Sequence, residues 1–373
     1  METFPAHIQL TQKGLQHQQG FKGKNKTVLR IAIYGAGSLG TVLGAYIAKN
    51  APKSSLDLGS GVELYNRNIL HVKALREHGA IIDGEISFSQ SVMAFLPEEM
   101  EGEFDYIFLL TKQLENDSVV RFLSDHLKEN GAICTMQNGL PEPGIARIIG
   151  EDRTLGCTIG WGATMKESGH STLTSSKDRL CFELGAISEG GKRNMPVIKE
   201  ILQLMGPVTV SDNFLGSRWS KLLINASFSG MSVIIGDTFG AVCDNRKARR
   251  CAQAIIKECI NVAKASNVKI EPVQGVDIAK MFDYNGPLKK AFSYSMIPVA
   301  MRRHRGITAG MLIDYRNGKK CEIDAINGSV CRQGDMVGVD TPFCDKVVEL
   351  VHGYEKGIGK PSYESLDAFD CLL

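Results

Sequence analysis

A chain of 373 residues with 43% hydrophobic and 23% charged residues is long enough for two domains, each able to bury a core of its own. Its formal net charge of +2 makes no case for a nucleic-acid or membrane partner, and no apolar run reaches the roughly 18–20 residues of a membrane-spanning helix. The ten cysteines include no C-x-x-C pair and no zinc-like spacing with histidine, and most fall in apolar segments, so no metal site is expected and a reducing cytoplasm is.

Residues 1–27 are polar, rich in Gln, Lys and Gly, and lack the apolar stretch of a secretory signal; they are expected to form a flexible extension. From Val28 an apolar run enters a glycine turn and then an alanine-rich stretch with helical spacing. Gly35, Gly37 and Gly40 form G-x-G-x-x-G in the strand–turn–helix context of a dinucleotide-binding domain. Gly35 permits the tight turn, Gly37 the close approach of a pyrophosphate, and Gly40 the packing of helix on strand. The helix N-terminus presents free N–H groups to the phosphates, so Gly35, Ala36, Gly37, Ser38, Leu39 and Gly40 are the candidate cradle.

A second strand, Gly61–Arg67, ends in Asn66-Arg67 rather than in the carboxylate that would bond an NAD ribose; Arg67 suits a 2′-phosphate and favours NADP(H). Glu63 lies mid-strand and is a poor ribose contact. Residues 79–95 pattern as a hairpin with its turn at Asp83-Gly84. The runs 104–110 and 131–136 read as buried parallel strands, and their carboxyl ends carry Lys112 and Asn138, where ligands bind in open α/β sheets. Further strands follow at 154–159, 171–174, 180–184 and 208–210, with a turn at Gly160, Gly162 and Ala163, a polar loop at 185–194 and a helix at 196–205. A domain boundary is placed at 211/212.

Beyond it helical patterns take over. Asn213–Ile235 reads as one long apolar helix on which Lys221, Asn225 and Ser229, each four apart, form a narrow polar line. That line fits either a cleft or a thin exposed edge. A second helix spans 246–267, the stretch 287–301 is of mixed character, Gly318 breaks a helix and Glu322 opens the next, and a last helix runs from Pro342 to about 354. The segment 357–373 is polar and expected to be loose, leaving 28–211 and 212–356 as the two domains.

Taken together, the glycine turn, Arg67, Thr111-Lys112, Asn138-Gly139, W-x-K-L-x-x-N at 219–225 and M-L-x-D…E-I-D-x-x-N-G at 311–328 resemble the ketopantoate reductase (2-dehydropantoate 2-reductase) family over nearly the whole of 28–355. The resemblance implies an α/β fold with an N-terminal Rossmann-type domain and an all-helical C-terminal domain. It implies NADPH-dependent reduction of ketopantoate to pantoate in pantothenate and coenzyme A synthesis. Lys221 is then the general acid, Glu322 a second essential group near substrate and cofactor, and Asn225 a substrate ligand; Asn138 and Lys112 line the cofactor site with Ala163 nearby. A lysine suits that role because an ammonium stabilises the developing alkoxide and then protonates it, while burial lowers its pKa. The family usually has Asn where Ser229 stands, Ser where Gly310 stands, and often Gln at Glu115; the first two contact substrate. The changes keep the chemistry but leave open a different 2-keto acid. A non-catalytic NADPH-binding protein on this fold is a third reading, against which the presence of both Lys221 and Glu322 counts. A homodimer through the helical half is also expected.

Overall fold

The computed structural model describes residues 28–59, 61–273 and 275–373, so the extension expected over 1–27 lies outside the described residues. In β1 (Ile31–Tyr34), Ile31 and Ile33 join the core on one face of the sheet and Ala32 the core on the other, because successive strand side chains alternate and this strand is covered on both sides. The glycine turn leads to α1 (Ser38–Asn50), β2 (Val62–Tyr65) and α2 (Ile69–His78). Then follow β3 (Ala80–Gly84), β4 (Phe88–Gln90), β5 (Met93–Phe95), β6 (Phe104–Leu109), α3 (Asn116–Ser124), β7 (Leu127–Thr135) and α4 (Glu142–Ile149). The half closes with β8 (Thr154–Ile159), β9 (Ala163–Glu167), β10 (His170–Leu173), β11 (Phe182–Ala186), α5 (Met195–Gln203) and β12 (Val208–Val210).

The main sheet has the order β12-β11-β8-β7-β6-β1-β2-β5. Its pairings are parallel except β11 against β8, and Ile33 stands in register with Leu64 on one side and Phe108 on the other. The chain winds out from β1 through β2 to the β5 edge and then crosses back to β6 on the other side of β1, which makes the carboxyl ends of β1 and β6 the switch point of a doubly wound sheet. Val42, Leu43, Val72, Leu75, Ile198 and Leu202 of α1, α2 and α5 pack one face; Val120, Leu123, Ile145 and Ile149 of α3 and α4 pack the other.

A second sheet, β4-β3-β10-β9, corrects two expectations. The hairpin read over 79–95 is only β3 with β4; β5 leaves it for the edge of the main sheet beside β2. The turn read at Ala163 is the start of β9, whose last four residues are exposed and so carry no alternating apolar signal.

The C-terminal half is helical: α6 (Phe214–Ile224), a π-helical turn (Asn225–Ser229), α7 (Gly230–Ile235), α8 (Phe239–Asp244), α9 (Arg246–Ala265), α10 (Ile278–Phe282), α11 (Pro287–Ala300), α12 (Gly310–Arg316), α13 (Asn327–Val337) and α14 (Pro342–Glu355). The architecture is therefore a Rossmann-like domain followed by a helical one, as expected. α9 runs through the middle of the second core, burying Cys251, Ile255, Ile256, Cys259 and Val262.

Three local expectations change here. The helix over 213–235 is interrupted by the π turn, where Ser227 bonds back to the Leu223 carbonyl at 2.7 Å, a contact that bends helices. Glu322 does not open a helix: α13 starts at Asn327, and Glu322 sits at the turn before it, its carbonyl accepting from the Ala325 and Ile326 amides. The segment from 357 is packed rather than loose. Its 3-10 helix Tyr363–Phe369 buries Leu366 and Phe369, and Phe369 stacks on Phe343 with ring centroids 6.2 Å apart. Leu366 and Phe369, with Ala368 and Leu372 packed beside them, dock this stretch on the helical core.

Candidate active site

At the carboxyl ends of β1, β2, β6 and β7 lies a cleft of about 540 Å³. Of the sequence candidates, Gly35, Gly37, Ser38, Leu39, Arg67, Lys112, Asn138 and Glu322 line it, as does Glu115. Gly35 has φ +97°, and a Cβ there would stand 2.4 Å from the Thr111 nitrogen, so only glycine fits between β1 and β6. Nothing lies within 4 Å of a Cβ built on Gly37, and no side chain caps α1, so its first N–H groups face open space. These residues fit a dinucleotide pyrophosphate.

Ala36 and Gly40 are buried beneath this surface. The Ala36 carbonyl is turned inward and accepts from Asn66 Nδ2 at 2.9 Å, Thr41 Oγ1 at 3.1 Å and His71 Nε2 at 2.9 Å. The Gly169 amide donates to His71 Nδ1 at 2.9 Å, which assigns the ring proton to Nε2, and burial lowers the His71 pKa and keeps it neutral. Ala163 meets the turn through its carbonyl, which accepts from Ser38 Oγ at 3.1 Å.

The two halves are tied across the cleft by the segment after β6. Lys112 Nζ pairs with Asp314 Oδ1 of α12 at 2.5 Å, and the Gln113 amide donates to Glu322 Oε1 at 3.0 Å. The Gln113 side chain donates to the Asn138 carbonyl. Burial raises the Glu322 pKa, opposed by the Gln113 amide and by Lys112. Gly139, at φ +82°, lets Ala325 approach so closely that a Cβ would stand 2.2 Å from its carbonyl oxygen.

Lys221, Asn225, Ser229 and Gly310 lie outside the lining of this cleft. Lys221 is half-buried on α6, and its ammonium has no hydrogen-bond or ion-pair partner among the described residues. Burial, and then the Arg218 charge, push its pKa down to about 8, while Cys157 and Glu183 act the other way. Asn225 and Ser229 bracket the π turn and are half-buried; the wider turn means they do not continue the straight polar line expected of an α-helix. Gly310 is the exposed first residue of α12, with open space where a side chain would stand.

What joins Lys221 to the Asn138 strand end is Arg218, one helical turn earlier and 1% exposed. Its guanidinium donates to Glu142 Oε1 at 2.7 Å, to the Gln137 carbonyl at 2.8 Å and to the Thr135 carbonyl at 3.2 Å. Sequence reasoning missed Arg218, Glu142, Gln113 and His71 as parts of the site. A charged residue inside an otherwise apolar helix stretch was the available signal for Arg218; nothing local marks the others.

Two family descriptions match the chain: "Ketopantoate reductase PanE/ApbA" over residues 31–185 and "Ketopantoate reductase PanE/ApbA C terminal" over 213–355. A 2-dehydropantoate 2-reductase of Lactococcus lactis is 27% identical over 338 residues, covering 88% of this chain and 98% of the relative. Among solved structures, the ternary complex of a D-mandelate dehydrogenase with NADH and anilino(oxo)acetate superposes with TM-score 0.71 at 23% identity, covering 88% of this chain and 99% of that one. A dimeric ketopantoate reductase from Staphylococcus aureus gives 0.65 at 17% identity, covering 89% and 100%. With both family halves matched in order around this cleft, the chain belongs to the ketopantoate reductase family.

Proposed function

We propose that this protein is an NADP-dependent oxidoreductase that reduces a 2-keto acid to the 2-hydroxy acid, with ketopantoate to pantoate as the favoured reaction and Lys221 as proton donor. The observation that carries the reading is Lys221 itself: a half-buried, unpartnered ammonium with its pKa pushed down to about 8, on the helix bonded to the strand end that bears Asn138. Bound NADPH supplies the hydride. The chain's residues do the rest. The first-turn amides of α1 and Arg67 hold the phosphates, Asn138 and Glu322 orient the reactants in the cleft, and Asn225 and Ser229 take the substrate. As hydride reaches the carbonyl carbon, the Lys221 ammonium stabilises the charge on oxygen and gives up a proton to it; the amine regains one from solvent.

The open space at Gly310 and the Ser at 229 support a second reading, a 2-keto acid other than ketopantoate. Following absorbance at 340 nm with NADPH and a panel of 2-keto acids decides between them by the preferred substrate. Lys221→Ala is expected to lower kcat by at least about a hundredfold while dinucleotide binding, read by fluorescence, persists. Retained turnover in that variant rejects Lys221 as the acid, and a wild-type protein that turns over no 2-keto acid rejects the enzyme reading.

No helix among the described residues is long and apolar enough to cross a membrane. We also infer a cytoplasmic homodimer. The reading is supported by the dimeric relative and by α11, whose Leu288, Phe292 and Val299 are 87%, 57% and 60% exposed.

A further inference from the structure

Arg218 and Glu142 form a fully buried ion pair, 1% and 0% exposed, at the junction of the two halves. Burying two charges gains little over an apolar pair, so such a pair is not explained by stability alone. Glu142 opens α4 and Arg218 lies on α6. The guanidinium reaches past the carboxylate to the carbonyls of Thr135 and Gln137, the last residues before Asn138. Lys221 follows three residues later on the same helix face. One planar group thus spans the end of β7, the start of α4 and the helix of the proton donor. Glu142 Oε2 is buried without a hydrogen-bond partner among the described residues, so the pair is built around Oε1 alone and its charges are imperfectly matched.

We propose that Arg218, balanced by Glu142, is a positioning residue for the reduction: it fixes Lys221 relative to the Asn138 strand end and sets the electrostatic field in which the Lys221 ammonium holds its proton. The proposal rests on Lys221 being the proton donor. The groups that face Lys221 are Arg218 on its own helix, Cys157 on β8 and Glu183 on β11, with Glu142 of α4 behind Arg218. An uncompensated buried guanidinium is costly, so Glu142 stands as the carboxylate even though burial raises its pKa. Glu142 therefore screens Arg218, and Arg218 opposes protonation of Lys221.

The sign of this arrangement is testable. Lys221 must be protonated to act, so kcat has an alkaline limb that reports its ionisation. Glu142→Gln keeps the shape and an acceptor for the guanidinium but removes the screening charge; the limb is expected to move to lower pH by about one unit. The double variant R218Q/E142Q removes both charges, and since Arg218 is the nearer of the two the limb is expected to move to higher pH. Shifts of opposite sign are what a purely structural role does not produce. Folding of each variant is checked by circular dichroism and by fluorescence titration with NADPH. If R218Q/E142Q does not fold, E142Q decides alone: a limb that stays in place or rises overturns the proposal. Loss of activity in Lys221→Ala with an unmoved limb in E142Q rejects only the role of Arg218. Retained activity in Lys221→Ala rejects the underlying assignment of the proton donor, and this proposal with it.

Discussion

Arg67 stands at the open end of β2 and lines the cleft beside Asn66, whose side-chain amide is already committed to the Ala36 carbonyl. A cation there complements a 2′-phosphate and gives nothing to a bare ribose. Arg67→Glu is therefore expected to raise the KM for NADPH by about ten- to a hundredfold, on the scale of one charge-assisted hydrogen bond replaced by repulsion, with the KM for NADH much less affected. Steady-state kinetics with both cofactors checks this, and equal effects on the two would remove Arg67 from the 2′-phosphate site. Arg67 and the glycine turn were legible in the sequence because each needs only its own strand end to be recognised. Lys112 was legible as a strand-end residue, but not its pairing with Asp314, which stands some 200 positions along and meets it only when the halves close together.

Among the elements, α9 carries the clearest unexpected device. Its Glu258 accepts the amides of Phe343 and Cys344 at 2.8 and 2.9 Å and so caps the start of α14 from another helix. Burial pushes its pKa up to about 7, against the pull of those two amides. A folded-state value above the unfolded one of about 4.5 means that Glu258 contributes most to stability when protonated: the contribution is complete below pH 4.5 and is lost as pH rises through 7. Glu258→Gln removes that dependence. The melting temperature of the wild type is expected to fall relative to Glu258→Gln between pH 4.5 and 7.5, and a parallel pair of curves would show that the amides hold the carboxylate ionised throughout. The helical period of α9 was visible in the sequence. Its cap was not, because the donor helix and the acceptor are 85 residues apart. The π turn was likewise hidden: no spacing along the chain marks Asn225–Ser229, where the structure adds the Ser227 back-bond to Leu223.

At the scale of the molecule, Leu288 and Phe292 of α11 are exposed and lie one turn apart on the same face, the surface on which the proposed homodimer is tested. Leu288→Glu with Phe292→Glu is expected to convert a particle of twice the chain mass into a monomer by light scattering, with circular dichroism unchanged; a monomeric wild type would reject the dimer. The succession of strands along the chain, the burial of the parallel strands on both faces and the helical second half follow from local patterns that survive any packing: near-continuous apolar runs for buried parallel strands, a 3.6-residue period for the helices, glycines where a turn must be tight. These the sequence determined by itself, together with the family and the residue types of its chemistry. Tertiary structure alone decided that β5 leaves its hairpin for the main sheet, that 363–369 docks on Phe343, and that Arg218 and Glu142 meet under Lys221. The physical reason is the same in each case: a buried charge, an edge strand or a docked apolar segment is stabilised by a partner distant in the chain, and no periodicity along the chain records where that partner is.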